Sequence, residues 1–151
     1  MGRILCLDYG ERRTGVAISD ETKTIAQSLT TIAHQSESEL IATLGKLVNK
    51  HNVELIVIGL PLSLSGKPST RSEMVRKFGA KLGKRLHLPV ELFDERFSTV
   101  SAQHTYAEFY NTPRRGAKTK DRGPSSAQID RIAATIILEN YLNRVSHRKK
   151  R

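Results

Sequence analysis

Cysteine is almost absent from this chain: there is one, Cys6, in 151 residues. No disulfide can form within the chain, and no thiolate cluster can hold zinc. Cys6 lies between Leu5 and Leu7 in an apolar run and reads as a buried core thiol. Tryptophan is missing and aromatic residues amount to 5%, so a surface built on extensive base stacking is not indicated. No stretch approaches the ~20 apolar residues of a membrane span. The N-terminus enters a strand pattern at once, without the signature of a signal peptide, and a cytoplasmic location is expected. The five histidines, His34, His51, His87, His104 and His147, share no ligand spacing. His104 could reach a site as a proton shuttle, but a surface or packing role is the preferred reading.

Negative charge is also scarce: 15 acids face 25 Lys and Arg, for a net charge of +10. The excess is segregated. Residues 67–86 carry +6, 111–124 carry +4 and 144–151 carry +5, which leaves the remainder at −5. A near-neutral to acidic body with three basic segments suits a polyanionic partner, because each base placed on a phosphate releases condensed counterions. Solubility charge or a disordered tail is the alternative for the last eight residues. The length fits one domain with an ordinary core, taken as residues 1–145, followed by a disordered basic tail at 146–151.

The apolar pattern predicts an α/β protein. Arg3–Asp8 and Thr14–Ser19 read as a hairpin around Gly10 and Gly15, and a third strand is expected at about 24–32. From Ser36 the period changes to helical, with Leu40, Ile41, Leu44, Leu47 and Val48 on one stripe. Glu54–Gly59 is a continuously apolar, β-branched run, as in a central strand covered on both faces. Residues 59–69 form a loop, about 70–86 a helix with basic residues on its outer face, and Val90–Phe93 a fifth strand. Ser98 can cap a helix to about Tyr110. Residues 111–124 form a mobile basic loop, and the Ser125–Gln128 capping pair opens a helix to about Arg144. The expectation is a five-stranded mixed sheet with helices on both faces.

The acids are placed suggestively. Asp8 ends the first apolar strand, Asp94 and Glu95 end the last, and Asp130 sits early in the final helix, on the stripe shared with Ala133, Ala134, Ile137 and Tyr141. In open α/β sheets, sites form beyond the carboxyl ends of strands. A carboxylate on a core-facing stripe is costly unless paired or bound to metal. Three converging acids would require Mg²⁺ or Mn²⁺, the hard cations of two-metal phosphoryl chemistry. Taken singly, each acid has a plainer reading: Asp8 as a turn former, Glu95 as a surface partner of Arg96, and Asp130 as a helix-dipole acid. Arg12 and Arg13, at the hairpin tip, are candidates to hold a substrate phosphate. Gly10 and Gly15 serve turn geometry or a close backbone approach.

Four ordered segments, LCLDYGERRTGVAISD at 5–20, GLPLSLSG at 59–66, DERFST at 94–99 and IDRIAATIILENYL at 129–142, resemble the YqgF family. That family is also called RuvX or Holliday junction resolvase-like, and is linked to maturation of pre-16S ribosomal RNA in bacteria. The resemblance covers nearly the whole chain. It implies an RNase H-like fold, with metal-binding and catalytic acids at Asp8, Glu95 and Asp130 and with Asp94 as second choice for the middle position. It favours nucleic-acid binding by Arg12 and Arg13; the basic charge of 111–124, a loop longer than the family's pattern leads one to expect, makes Arg114, Arg115, Lys118, Lys120 and Arg122 further candidates for the phosphate backbone, with Arg96 beside Glu95. The implied function is a metal-dependent endonuclease or exonuclease acting on structured nucleic acid in processing of the pre-16S rRNA end, with the ribosome or its precursor as a further partner. The alternatives are a resolvase of branched DNA or a noncatalytic RNA-binding ribosome-assembly factor. RuvC-type resolvases carry a fourth acid three residues beyond the helix aspartate, where this chain has Ala133, and this turns the reading from junction resolution toward metal-dependent cleavage in general. An actin-like ATPase or sugar kinase also opens on a hairpin with an early aspartate, but needs two such domains.

Overall fold

The computed structural model describes residues 2–61, 69–94 and 126–149. Five strands, β1 (Arg3–Asp8), β2 (Arg13–Ser19), β3 (Ala26–Ala33), β4 (Val53–Leu60) and β5 (Val90–Asp94), form one sheet in the order β3-β2-β1-β4-β5. The β1–β2 and β2–β3 pairs are antiparallel, and β1–β4 and β4–β5 are parallel. The mixed sheet expected from the sequence is therefore present. The parallel half follows from its connections, since strands joined through the helices α1 (Glu37–His51) and α2 (Thr70–Leu86) return in the same direction.

Local sequence fixes the ends of these helices. The Ser36 side chain accepts from the Glu39 backbone N–H at 3.2 Å, and Asn52 closes α1 in the left-handed region with φ 52°. Ser69 and Ser72 form a reciprocal capping box at the start of α2, and His87 ends it with φ 55°. Between β2 and β3 the Asp20 carboxylate accepts from the backbone N–H groups of Thr24 and Ile25 at 2.8 and 2.9 Å. These bonds favour the ionised form and hold the Asp20 carboxyl well below the usual range.

Strand alternation divides the core into two layers. Leu5, Leu7, Val16, Ile18, Ile56 and Ile58 pack with Leu40, Leu44, Val75, Phe78 and Leu82 of α1 and α2. Ile4, Cys6, Ala17, Val57 and Phe93 pack on the other face, against Ala134, Ile137, Leu138, Tyr141 and Leu142 of the last helix, α3 (Ser126–Lys149). Helices thus cover both faces, and Cys6 is the buried core thiol expected. β3 begins two residues later than the expected start and is mostly half-buried or exposed, with Ile32 alone buried in the strand, as an edge strand of AQSLTTIA with few apolar residues would be. α3 runs past Arg144 to Lys149, into the segment expected as a basic tail. The expected helix at 98–110 and basic loop at 111–124 lie outside the described residues.

Candidate nuclease site

The site begins where β1 ends. Leu5 and Leu7 face α1 and α2 while Ile4 and Cys6 face α3, so the two-residue period puts the Asp8 side chain on the α3 side. In the antiparallel ladder Asp8 lies opposite Gly15, and Gly15 lies opposite Thr31 of β3. The first turns of α3 cross this row. The Thr31 hydroxyl donates to the Ala127 carbonyl. One turn later the Asp130 backbone sits directly on Gly15: a Cβ there would stand 1.9 Å from the Asp130 carbonyl oxygen and 2.3 Å from its carbon. Gly15 is therefore the seat of the helix. It sets the Asp130 backbone over the residue that pairs with Asp8 in the neighbouring strand.

Asp130 is half-buried, with its Oδ2 shielded from solvent. Arg13 Nε lies 3.4 Å from Oδ2, but out of alignment for a hydrogen bond, so that oxygen makes none among the described residues. Burial raises the Asp130 carboxyl above its ordinary value, and the charges of Arg13 and Arg71 oppose the rise. An unbonded, shielded carboxylate oxygen is a hard donor suited to a divalent cation. Among the described residues no three His, Cys, Asp or Glu side chains gather closely enough to hold a metal ion. Glu95, the third expected acid, lies outside the described residues, as do Arg96, Arg114, Arg115, Lys118, Lys120 and Arg122.

Asp94 can be weighed by position. It pairs with Leu60 at the end of β5. Leu92 and Val90 pack in the α1–α2 layer, whereas Phe93 packs in the α3 layer and Glu91 accepts from the Tyr141 hydroxyl of α3 at 2.7 Å. Even-numbered β5 residues, Asp94 included, thus take the face away from Asp8 and Asp130.

The turn between β1 and β2 is held from beneath. Thr14, fully buried, has its Oγ1 3.0 Å from Nε2 of buried His34, and the His34 backbone N–H donates to the Arg12 carbonyl at 2.9 Å. Burial pushes the His34 imidazole below its ordinary pKa, with Glu39 and the Gly10 backbone opposing. Tyr9 stacks on Phe78 with ring centroids 4.2 Å apart, and its hydroxyl donates to Glu37 at 3.4 Å. The ring is committed to the core and is not free to stack on bases.

Two cavities flank these groups. One of about 280 Å³ is lined by Asp8, Tyr9, Gly59, Pro61 and Arg71. The other, about 510 Å³, lies between the β1–β2 turn and α2, lined by Tyr9, Gly10, Glu11, Arg12, Thr70, Arg71 and Met74. Arg12 therefore faces a groove, while Arg13, expected to meet substrate, is turned to Asp130. Sequence reasoning missed Arg71, His34 and Thr14. Arg71 was submerged in the basic segment 67–86, and the Thr14–His34 pairing joins residues on different strands with no local signature.

A family model described as "RuvX: Holliday junction resolvase" matches residues 2–144. The chain belongs to the RuvX family. Curated relatives named "Putative pre-16S rRNA nuclease" agree with it over nearly their whole length. The one from Caldanaerobacter subterraneus is 40% identical over 141 residues, 93% of this chain and 96% of the relative. That from Chloroflexus aurantiacus is 43% identical over 140 residues, 93% and 86%, and that from Bacteroides thetaiotaomicron 43% over 143 residues, 94% and 96%. Among solved structures, Thermus thermophilus RuvC in complex with a Holliday junction substrate aligns with TM-score 0.59 at 11% identity, covering 97% of this chain and 98% of RuvC. The fowlpox virus Holliday junction resolvase aligns with TM-score 0.51 at 14% identity, covering 94% and 99%. These likenesses establish the RNase H-like fold. RuvX proteins are phosphodiester-cleaving hydrolases, and this class of nuclease generally uses divalent metal ions.

Proposed function

We propose that this protein is a metal-dependent nuclease acting on structured nucleic acid, foremost in processing the end of pre-16S rRNA, with Asp8, Glu95 and Asp130 as its catalytic and metal-holding acids. The observation that supports the reading is the seating of the Asp130 backbone on Gly15, the residue paired with Asp8 at the end of β1. A pure phosphate binder gains nothing from such a pair, because carboxylates repel its ligand. Asp94, as an even-numbered β5 residue, takes the face away from Asp8 and Asp130, so Glu95, the acid that the family resemblance implies, is taken as the third member of the set. The group held is a pair of Mg²⁺ or Mn²⁺ ions, which supplies Lewis acidity toward the attacking water and the leaving oxygen. The protein's own contribution is placement. Asp8 and Asp130 fix the cations, and Arg12 and the basic segment 111–124 orient the phosphate backbone. The partner is the precursor ribosomal particle, and the working compartment is the cytoplasm.

Resolution of branched DNA is the second reading, favoured by the resolvase fold but not by Ala133, which stands half-buried where RuvC-type resolvases carry a further acid. The test is cleavage of a pre-16S rRNA fragment and of a four-way DNA junction by purified protein, with Mg²⁺, Mn²⁺ or chelator, alongside Asp8→Asn. Metal-dependent cleavage of the RNA that Asp8→Asn abolishes, with binding retained, is expected. Cleavage of the junction alone would transfer the assignment to the second reading. Equal activity of variant and wild type would reject the acid assignment.

A further inference from the structure

The two cavities beside the acids share one cation. Arg71 lines both the cavity that contains Asp8 and the groove between the β1–β2 turn and α2. Its guanidinium is exposed, forms no ion pair among the described residues, and is close enough to Asp130 to act on that carboxylate electrostatically. Arg76, Lys77, Lys81, Lys84 and Arg85 of the same helix line neither cavity. Lys81 is paired with Glu37 at 3.0 Å.

We propose that Arg71 is a phosphate-binding residue of the substrate strand, holding the phosphate adjacent to the one at the acids, and that the groove beyond it takes the nucleotide to which that phosphate belongs. This rests on the nuclease reading above and names the part of the substrate that the site grips. The chemistry fits on three counts. A guanidinium presents a planar fork suited to two phosphate oxygens. A cation at the boundary of the two cavities marks the path by which a strand leaves the acids. The groove itself pairs a second guanidinium, Arg12, with the Met74 side chain and the edge of Tyr9, so polar and apolar parts of one nucleotide both find a surface. Glu11 at the rim disfavours a second phosphate there, which limits the grip to one nucleotide. The competing role for Arg71 is as a mere countercharge for Asp130, and the two roles separate experimentally.

The experiment compares wild type, Arg71→Ala and Arg71→Lys in the full chain. Binding of a fluorescently labelled pre-16S rRNA fragment is measured by anisotropy across a salt series in chelator. Metal affinity is measured by calorimetry with Mn²⁺, and steady-state cleavage is followed in Mg²⁺. A lost charged hydrogen bond should weaken Arg71→Ala binding roughly 10- to 100-fold. The salt slope should shrink by about 0.7–0.9. The loss should appear in KM more than in kcat, and Arg71→Lys should restore the slope but only part of the affinity. An unchanged slope with tightened Mn²⁺ binding would make Arg71 a countercharge and overturn the proposal. The binding arm needs no cleavage: a shrunken slope in a protein that cuts nothing would uphold the phosphate contact while rejecting the nuclease assignment. Active wild type with an unaltered Arg71→Ala slope would do the reverse.

Discussion

Replacing Gly15 by Ala adds one methyl group, and its consequence can be worked from the seat it fills. Alanine is intrinsically better than glycine inside a strand by roughly 0.5–1 kcal/mol, so without a clash the change would stabilise the fold. The new Cβ would stand 1.9 Å from the Asp130 carbonyl oxygen, 2.3 Å from its carbon and 3.0 Å from the Arg131 nitrogen. All three atoms are helix backbone and cannot rotate aside. Restoring ordinary van der Waals contact requires α3 to lift by roughly 1.5 Å at Asp130. Overpacking of this kind costs about 1–3 kcal/mol, and for a chain of this size lowers Tm by roughly 2–10 °C. The larger effect falls on chemistry. A displacement of ~1 Å at a reacting centre costs on the order of 100-fold in rate, and here it acts on one of two paired acids while leaving every ionisable side chain in place. The assay is steady-state cleavage at saturating Mg²⁺ with thermal unfolding by circular dichroism. A Gly15→Ala protein with wild-type kcat and unchanged or raised Tm would refute the seating of α3 on β2, and with it the convergence of Asp8 and Asp130.

Two further outcomes are expected. His34 titrates below its ordinary value because it is buried against Thr14, so the unfolded chain takes up the proton first; its contribution to stability is full above about pH 6.5 and declines as pH falls through that value and the lower folded one. Thermal unfolding at pH 8 and pH 5 should therefore show a smaller acid-induced drop in His34→Gln than in wild type, and equal drops would mean that the imidazole is not desolvated. Neutralising Arg114, Arg115, Lys118, Lys120 and Arg122 together should weaken binding to every substrate and flatten its salt dependence by up to about 0.7 per phosphate contact on single strands or 0.9 on duplex. Turnover at saturation should persist, and its loss would place that segment in the chemical step.

Much of the architecture could be read directly because its signals are local. The β-branched run at Glu54–Gly59 and the Leu40–Ile41–Leu44 stripe each declare an element within a few residues, and the edge strand β3, with little to bury, was correspondingly blurred at its start. Asp130 was legible through the apolar stripe it interrupts. Gly15 was ambiguous, since turn geometry and close approach ask for the same residue; only the Asp130 carbonyl lying against it decides between them. The direction of Arg13 toward Asp130 and the position of Arg71 between two cavities depend on where three separate elements meet. A sequence that places seven cations between residues 67 and 86 gives no means of choosing one.

The layering of the core bears on when the molecule can act. One face of the sheet is covered by α1 and α2, which follow their strands closely, but Ile4, Cys6, Ala17, Val57 and Phe93 wait for α3. The same helix carries Asp130 onto Gly15, the residue paired with Asp8. A nascent chain that has built β1 through β5 therefore displays an apolar sheet face and lacks Asp130, and contacts of such long sequence separation form late. Burying the second layer and bringing in Asp130 are a single event, so under the proposed acid assignment hydrolytic competence appears only with completion of the fold, and a partly made chain is inert toward the nucleic acid around it.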